Sequence, residues 1–518
     1  MAQIIIADID AYDPALPGVR TLRFATQGYV TKASDTPAHT YYDGRIQQPA
    51  NVLRSCFGRG TTFGQSRIGY GDLVLVNNDG GLDGLLDYSF VGRAITIKMG
   101  NVLPNSGGVP TWVTVIKGTM EQAQFSWQRL TIRVRDRQQD LAQPIQQVRY
   151  GGTNSLPNGI DGTADDIKGR PKPLVFGQVF NVPMPQVNTT SMIYQLHDGS
   201  ALQSVDAVYD RGKPLTAGAA YSSQSDMETN EPAANGYRVW NSSAGTYIRL
   251  GTAPSGQVTA DATEGANAAA RTAAQIMKEI MLKAGIASGD ISSADVSALD
   301  AAVSYPVGIF APSDSDVTAL EMLDDVANSV GAWFGPDATG VFRMARVEIP
   351  TGTAVGTLTA TDIVKIERVS SRDPGVGIPA WKVKLGYKML GVHQPDLTNA
   401  VAEARKAFVA SKFRRVEASD SSVKTANIMS PEIEFESLLV NASDAASEAS
   451  RRLAIYKVRR DMYEVSVRVD SALASVLDLG KTVTLQVNRY GLSAGKKFLV
   501  TSIRTDLRGY LFDLTLWG

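Results

Sequence analysis

Any chemistry in this chain would have to be built from three histidines, one cysteine and a large stock of carboxylates. His39, His197 and His393 lie far apart, and no HExxH pair, no i, i+4 histidine pair and no cysteine cluster offers a zinc site. Cys56 sits between apolar and glycine residues, the setting of a small packed hydrophobe. A single cysteine also excludes an internal disulfide framework. The segment NNDGGLDG (77–84) carries Asp79 and Asp83 but lacks the full calcium loop with its terminal glutamate; it reads as a hairpin turning through Asn77–Gly81. No GxGxxG follows a strand, no GxxxxGK[ST] occurs, and GQSRIG (64–69) has the wrong spacing for a serine elbow. His197 and Asp198 are neighbours on a strand and point to opposite faces, which makes them a poor relay. A glycosidase carboxylate pair can come from distant segments, but no local feature selects one. These residues predict a non-catalytic protein with no cofactor and no metal.

The stretch with the most character is basic. In FSWQRLTIRVRDRQQDLAQPIQQVRYGG, Leu130, Ile132 and Val134 alternate with Arg129, Thr131, Arg133 and Arg135, the period of a strand with one buried and one polar side. Five arginines face two aspartates between Phe125 and Tyr150. Pro157, Pro171, Pro173 and Pro183 then break the chain into turns and extended connectors. A charged strand followed by a rigid connector suits an assembly joint, and equally a solvated strand face beside an interdomain loop.

The elements that must position these residues are mostly strands. At 518 residues the chain needs several cores, and its 43% hydrophobic and 20% charged content is that of a folded protein. The net charge of −1 gives no global pull toward nucleic acid or membrane. No run of about 18 apolar residues occurs. The start, MAQIIIADIDAYDP, is too short and too acidic for a signal peptide, which predicts a protein made in the cytoplasm.

Short apolar or alternating runs predict an N-terminal β domain over 1–124 and a second β domain with its Pro/Gly-rich connector over 125–265. There GYRVWN and TYIRLG form a hairpin through Ser242–Gly245. A helical insert follows over 266–334. Its first helix, 266–286, puts Ala273, Ile276, Met277, Ile280 and Ala284 on one face; its second spans 292–304; its third, 313–334, has Ser315 as N-cap and Gly331 past its end. Residues 335–440 read as β-rich, with an uncertain helix in 397–418. Residues 441–518 read as a helix (443–460) followed by four strands of a small β-barrel, with turns at 470–480, 488–495 and 506–509. In that helix Glu448 lies early and arginines lie late, the charge order a helix dipole favours. The fold class is therefore mainly β, multidomain (α+β), with β-barrel or sandwich domains and a small helical insert.

Several segments resemble the hub proteins at the tips of bacteriophage tails and of related gene transfer agents. DVTALEMLDDVANSVGAWFGPDATGVFRMARV looks like their helix followed by a hairpin, and ATDIVKIERVSSRDPGVGIPAWKVKLGYK like the strands after it. SDAASEASRRLAIYKVRRDMYEVSVRV, continuing through LGKTVTLQV and KKFLVTSIRTDLRGYLFDLTLWG, resembles the helix that feeds their terminal barrel. LTIRVRDRQQDLAQPIQ with KGRPKPLVFGQVFNVP is similar to tail proteins of transposable, long non-contractile-tailed phages. The resemblance implies a structural virion protein of the tail tip, assembled in the host cytoplasm. In that family three copies place six barrels in a ring, matching a sixfold tube to a threefold tip, and part of the DNA exit channel runs through it.

Implied partners are the protein itself as a homotrimer, distal tail or tube proteins, the tape measure protein, receptor-binding tip or fibre proteins, and phage DNA passing without sequence specificity. A hexameric distal tail ring is one alternative; an envelope-carbohydrate-binding or hydrolysing tip protein is another. Under this resemblance Arg129, Arg133, Arg135 and Arg137 become candidate subunit contacts, and Gly169–Pro173 a fixed link between β domains.

Overall fold

The first half of the first strand has no polar side. In Ala2–Asp13, residues Ile5, Ala7, Ile9 and Ala11 face the main core, while Ile4 and Ile6 pack with Ala25 and Tyr42 on the other side. Burial of both faces is why QIIIADI is a continuous apolar run. These coordinates belong to a computed structural model that describes residues 2–33, 35–58, 61–102, 112–135, 137–369, 377–395, 397, 401–468 and 471–518.

The strand is second in a seven-stranded antiparallel sheet ordered Gly18–Ala25, Ala2–Asp13, Ala94–Val102, Val113–Ser126, Arg129–Arg135, Tyr70–Val76 and Ile46–Gln48. The hairpin expected at Asn77–Gly81 does not form. Tyr70–Val76 pairs with Arg129–Arg135, and residues 77–93 make a wide connection stiffened by a 3-10 turn, Asp83–Leu85. The Asn77 side chain braces it, accepting from the Leu82 amide (2.8 Å) and donating to Asp83 (2.8 Å). Turn-forming residues here hold a long loop in shape. Position 124/125, expected as a domain boundary, falls inside Val113–Ser126, whose hairpin partner Arg129–Arg135 lies in the same sheet.

Two five-stranded sheets form the next layer pair. One is ordered Lys213–Pro214, Ser204–Asp210, Val258–Thr263, Leu174–Pro183 and Gly308–Ala311; the other Gln186–Asn188, Ile193–Asp198, Gly245–Leu250, Gly236–Ser242 and Thr216–Ala217. Val175, Val179, Val208 and Ala260 of the first meet Tyr194, Leu196, Ile248 and Leu250 of the second in one apolar cluster, the arrangement of a β-sandwich. The Ser242–Gly245 hairpin forms as read. The connector leading in is tied down: Tyr150 N donates to Arg170 O (3.0 Å), Gly169 N to Tyr150 O (2.8 Å), and Arg149 pairs with Asp316 at 2.6 Å.

The helices follow their apolar periodicity. Ala273–Lys283 buries Ala273, Ile276, Met277 and Ile280, and its cap is Thr272, which accepts from Gln275 N. Ser293–Ala302 is capped by Ser292. The third helix is shorter than expected. Ala319–Ser329 starts one capping box later than Ser315, with Thr318 and Glu321 exchanging side-chain-to-backbone hydrogen bonds, which satisfies two amides at once. Gly331 takes φ +64° just past its end. Within 397–418 the helix is limited to Glu403–Val409; Arg414–Ser419 is a strand of a three-stranded sheet with Lys382–Tyr387 and Glu432–Glu436, and residues 398–400 lie outside the described residues.

The terminal module is an open barrel wall. Thr482–Gln486, Lys496–Asp506, Leu511–Trp517 and Met462–Arg468 run side by side, flanked by Thr357–Thr359 and Ile363–Arg368. Phe512, Leu514 and Leu516 are buried together, as the alternation predicted. A helix, Ser471–Val476, occupies part of the expected 470–480 turn. One further strand comes from the far end of the chain. Leu53–Ser55 pairs antiparallel with Lys496–Asp506, matching Ser55 with Ser502 and Leu53 with Arg504. Cys56 N donates to Thr501 O (2.9 Å), Thr505 N to Val52 O (3.1 Å), and Arg54 pairs with Asp478 (2.7 Å). A single apolar cluster consequently runs from Ile5 through Met277 and Leu323 to Trp517.

Candidate assembly interface

The strands Val113–Ser126 and Arg129–Arg135 make a hairpin with a two-residue turn, and a register shift near Met120 lets its outer half bend away. Trp127 stands in that turn with 92% of its surface exposed. Asn77 N donates to Gln128 O (2.8 Å) and Ser126 Oγ to Arg129 O (3.1 Å), so the tip is held while the indole is presented. Trp127 is one of six tryptophans and belongs to no motif. Its signal was position: a large apolar residue in a turn between two alternating runs, where polar residues or glycine are usual.

The four arginines do not act as one row. Leu130, Ile132 and Val134 are fully buried beneath them. Arg129 is exposed, and Arg133 is exposed beside Asp72 at 3.4 Å. Arg135 turns inward to donate to Thr119 Oγ1 (2.9 Å). Arg137 belongs elsewhere: it donates to Gly340 O (2.8 Å), pairs with Asp290 (3.0 Å) and lies over the Phe342 ring. Arg137 thus ties the first sheet to the helical insert and to the hairpin of Ala332–Pro336 with Phe342–Arg346. Burial pushes the neighbouring Asp140 carboxyl up, against the pull of Arg137 and Arg135.

The sheet register collects other exposed apolar side chains at the hairpin's end. Asp13 opposes Gly18, Ser89 bridges Tyr12, Ala94 opposes Thr119, and Val76 opposes Arg129. The turn with Leu16 and Val19, the loop with Leu86 and Val91, and Trp127 therefore share one end of the sheet, all more than half exposed. Asp83 and Asp87 lie exposed in the same loop. Apolar side chains grouped on a rigid sheet end mark an interaction surface.

His197, Asp198 and Cys56 are held by contacts within the fold. His197 Nδ1 accepts from Val175 N (2.9 Å) and Nε2 faces Ser200 Oγ (2.8 Å). Burial, helped by the charge of Lys283, lowers its pKa to about 4, so the ring stays neutral. Asp198 Oδ1 accepts from Gln195 Nε2 (3.1 Å) and makes no relay with His197. Burial pushes the Cys56 thiol well up, the reverse of an activated nucleophile. Among the described residues no group of three His, Cys, Asp or Glu is placed to hold a metal. An open cleft of about 410 Å³ is lined by Leu53, Ser55 and Phe57 together with strands of the terminal sheet, with Lys365, Glu464, Arg504 and Asp513 on its polar wall.

No protein-family model matches the chain, and no curated protein matches it. Among solved structures it is similar to the 43 kDa tail protein of prophage MuSo2 from Shewanella oneidensis, at 14% identity and TM-score 0.40 over 99% of this chain and 96% of that one. It is similar to a tail protein from Neisseria meningitidis at 9% identity and TM-score 0.41, over 93% and 94%. It also resembles a chain in the virion of a native gene transfer agent particle, at 13% identity and TM-score 0.21, over 51% and 80%. Identities of 14% or less with TM-scores no higher than 0.41 leave function to be argued from this chain's own residues.

Proposed function

We propose that this protein is a structural component of a phage tail tip, the hub that connects the tail tube or distal ring to the host-recognition tip and surrounds part of the DNA exit path. One observation carries the reading. Leu53–Ser55, which lies in sequence between two strands of the first sheet, crosses over to pair with Lys496–Asp506 of the terminal sheet, so each copy carries two β modules tied together by its own chain. A homotrimer of such copies offers six modules, which suits contact with a sixfold tube. The helix Ala442–Tyr456 leading into the terminal strands agrees with the plan the sequence resemblance implied. Partners under this reading are further copies, the distal tail or tube proteins, the tape measure protein, receptor-binding tip proteins and DNA in transit.

Reconstruction of the intact virion by electron microscopy tests it. Three copies at the tip are expected. Six copies in a ring above the tip would favour the distal tail reading, and absence from the particle would overturn both. The cleft bearing Glu464 and Asp513 gives a hydrolytic tip protein its own test: release of sugar from host envelope polysaccharide by the purified chain. The tail-tip reading expects none.

A further inference from the structure

Away from the hairpin end, three chain segments meet at a second exposed apolar surface. Ala380 N donates to Tyr456 O (2.9 Å), Trp381 N to Pro431 O (3.1 Å), and Ser430 Oγ bonds Pro379 O, so 378–381, 428–431 and 456–459 lie side by side. On them Ile428 is 86% and Met429 79% exposed, with Ile378 and Val458 about half exposed beside them. The rim carries Lys382, Lys424, Lys457 and Arg459, with Glu417 paired to Lys382 and Asp420 to Lys457. Lys424 and Lys382 lie over the Trp381 ring, at 4.4 and 4.9 Å from its centre. Lys457 pairs with Asp420 at 3.1 Å, and Arg459 is exposed. Two adjacent large apolar residues in a loop held this firmly are costly to leave in water.

The loop at the hairpin end of the first sheet has the opposite character. Asp83, Leu86, Asp87 and Val91 present exposed carboxylates between exposed apolar side chains. We infer that the Ile378, Ile428, Met429 and Val458 surface, with its Lys424, Lys457 and Arg459 rim, seats the 83–91 loop of a second copy of this chain. Apolar anchors bury at the centre and the charges pair at the edge, the usual anatomy of an interface. Two different surfaces meeting in this way make a head-to-tail contact, which closes into a ring when the rotation allows. The inference rests on the ring-forming role proposed above and supplies its contact surfaces.

Light scattering and sedimentation of the full chain test it. Wild type should self-associate. Lys424→Glu with Arg459→Glu should weaken association about tenfold or more, with loss of its salt sensitivity. Ile428→Asp with Met429→Asp should do the same through the apolar centre, and both variants should melt as wild type does. Adding Asp87→Lys to the Lys424→Glu, Arg459→Glu variant should restore association. Variants that associate like wild type, a charge swap that restores nothing, or a wild type that stays monomeric would each overturn the docking. None of these results bears on whether the protein is found in the virion, which decides the tail reading separately.

Discussion

Two groups of arginines in this molecule do opposite work. On the first hairpin, Arg129 and Arg133 stand in solvent, and the ion pair of Arg133 with Asp72 is about half exposed on both sides. In the interior, Arg346, Arg451 and Arg452 surround Glu448, whose side chain has no exposed surface. Arg451 donates to it at 2.8 Å and Arg452 at 2.7 Å, with Arg346 as the third partner. Their remaining N–H groups reach Asn328 O, Val330 O (3.1 Å from Arg346) and Val347 O (2.8 Å from Arg451). Those first two carbonyls end the helix Ala319–Ser329, so the cluster also caps it. Burial alone would raise the Glu448 pKa; the charges of Arg452, Arg451 and Arg346 outweigh it and bring it to about 2. The same residue type is an internal clamp in one place and surface chemistry in the other. Desolvation and the fullness of hydrogen bonding decide which.

Removing the buried anion should break the comparison most visibly. Glu448→Gln leaves three guanidiniums with only the half-exposed Glu348 as counter-charge and should cost about 3–5 kcal/mol, read as a lower urea midpoint. An unchanged midpoint would mean the arginines are satisfied by carbonyls and Glu348. Arg137→Ala tests the arginine that sits between the two groups. Losing its bonds to Gly340 O and Asp290 should cost about 1–3 kcal/mol, well above an exposed arginine.

Acidity separates the regions next. Burial raises Asp324 to about 7, against hydrogen bonds from Ser66 and with Asp325 and Glu321 adding to the rise; burial also raises Glu279 to about 7. Stability from a raised carboxyl is held at low pH and lost as pH climbs through its folded value. Glu448 is the reverse: its contribution is held above about 4.5 and lost as pH falls toward 2. Stability should therefore rise on acidification from about pH 8 to about pH 5, then fall in stronger acid. Asp324→Asn should flatten the first limb of thermal melts and leave the second.

The smallest effects on stability should come from the hairpin. Trp127→Ala, and Arg129→Glu with Arg133→Glu, should each change unfolding by no more than about 0.5 kcal/mol. Both should lower incorporation into particles, measured by immunoblot of purified virions; normal incorporation would return the hairpin to an ordinary solvated face.

How much of this was legible depends on whether a residue's partner is near in sequence. Leu130, Ile132 and Val134 announce a buried strand face by alternation, and Ile276, Met277 and Ile280 announce a helix face by their spacing. The strand Leu53–Ser55 has only three residues and no alternation, and its partner lies at the other end of the chain, so nothing local marks it. Glu448 looked like a dipole contact because Arg451 and Arg452 are visible beside it. The third member, Arg346, is 102 residues away, and it converts a surface pattern into a buried cluster. The arginine row showed its alternation, but alternation does not say that Arg137 has left the strand for the helical insert. Trp127 was legible only by its place in a turn.

The pairing of Leu53–Ser55 with Lys496–Asp506 also sets a schedule. Val52 and Thr505, joined by hydrogen bonds, are separated by 453 positions. At ribosomal rates that interval is roughly 20–90 s, during which the early strand has been made and its partner has not. Until then Leu53–Ser55 lacks its partner and the terminal sheet is incomplete. A chain halted anywhere before Lys496 therefore cannot complete the terminal sheet, although all seven strands of the first sheet have been made. Completion of synthesis is the step that ties the two ends of the chain together.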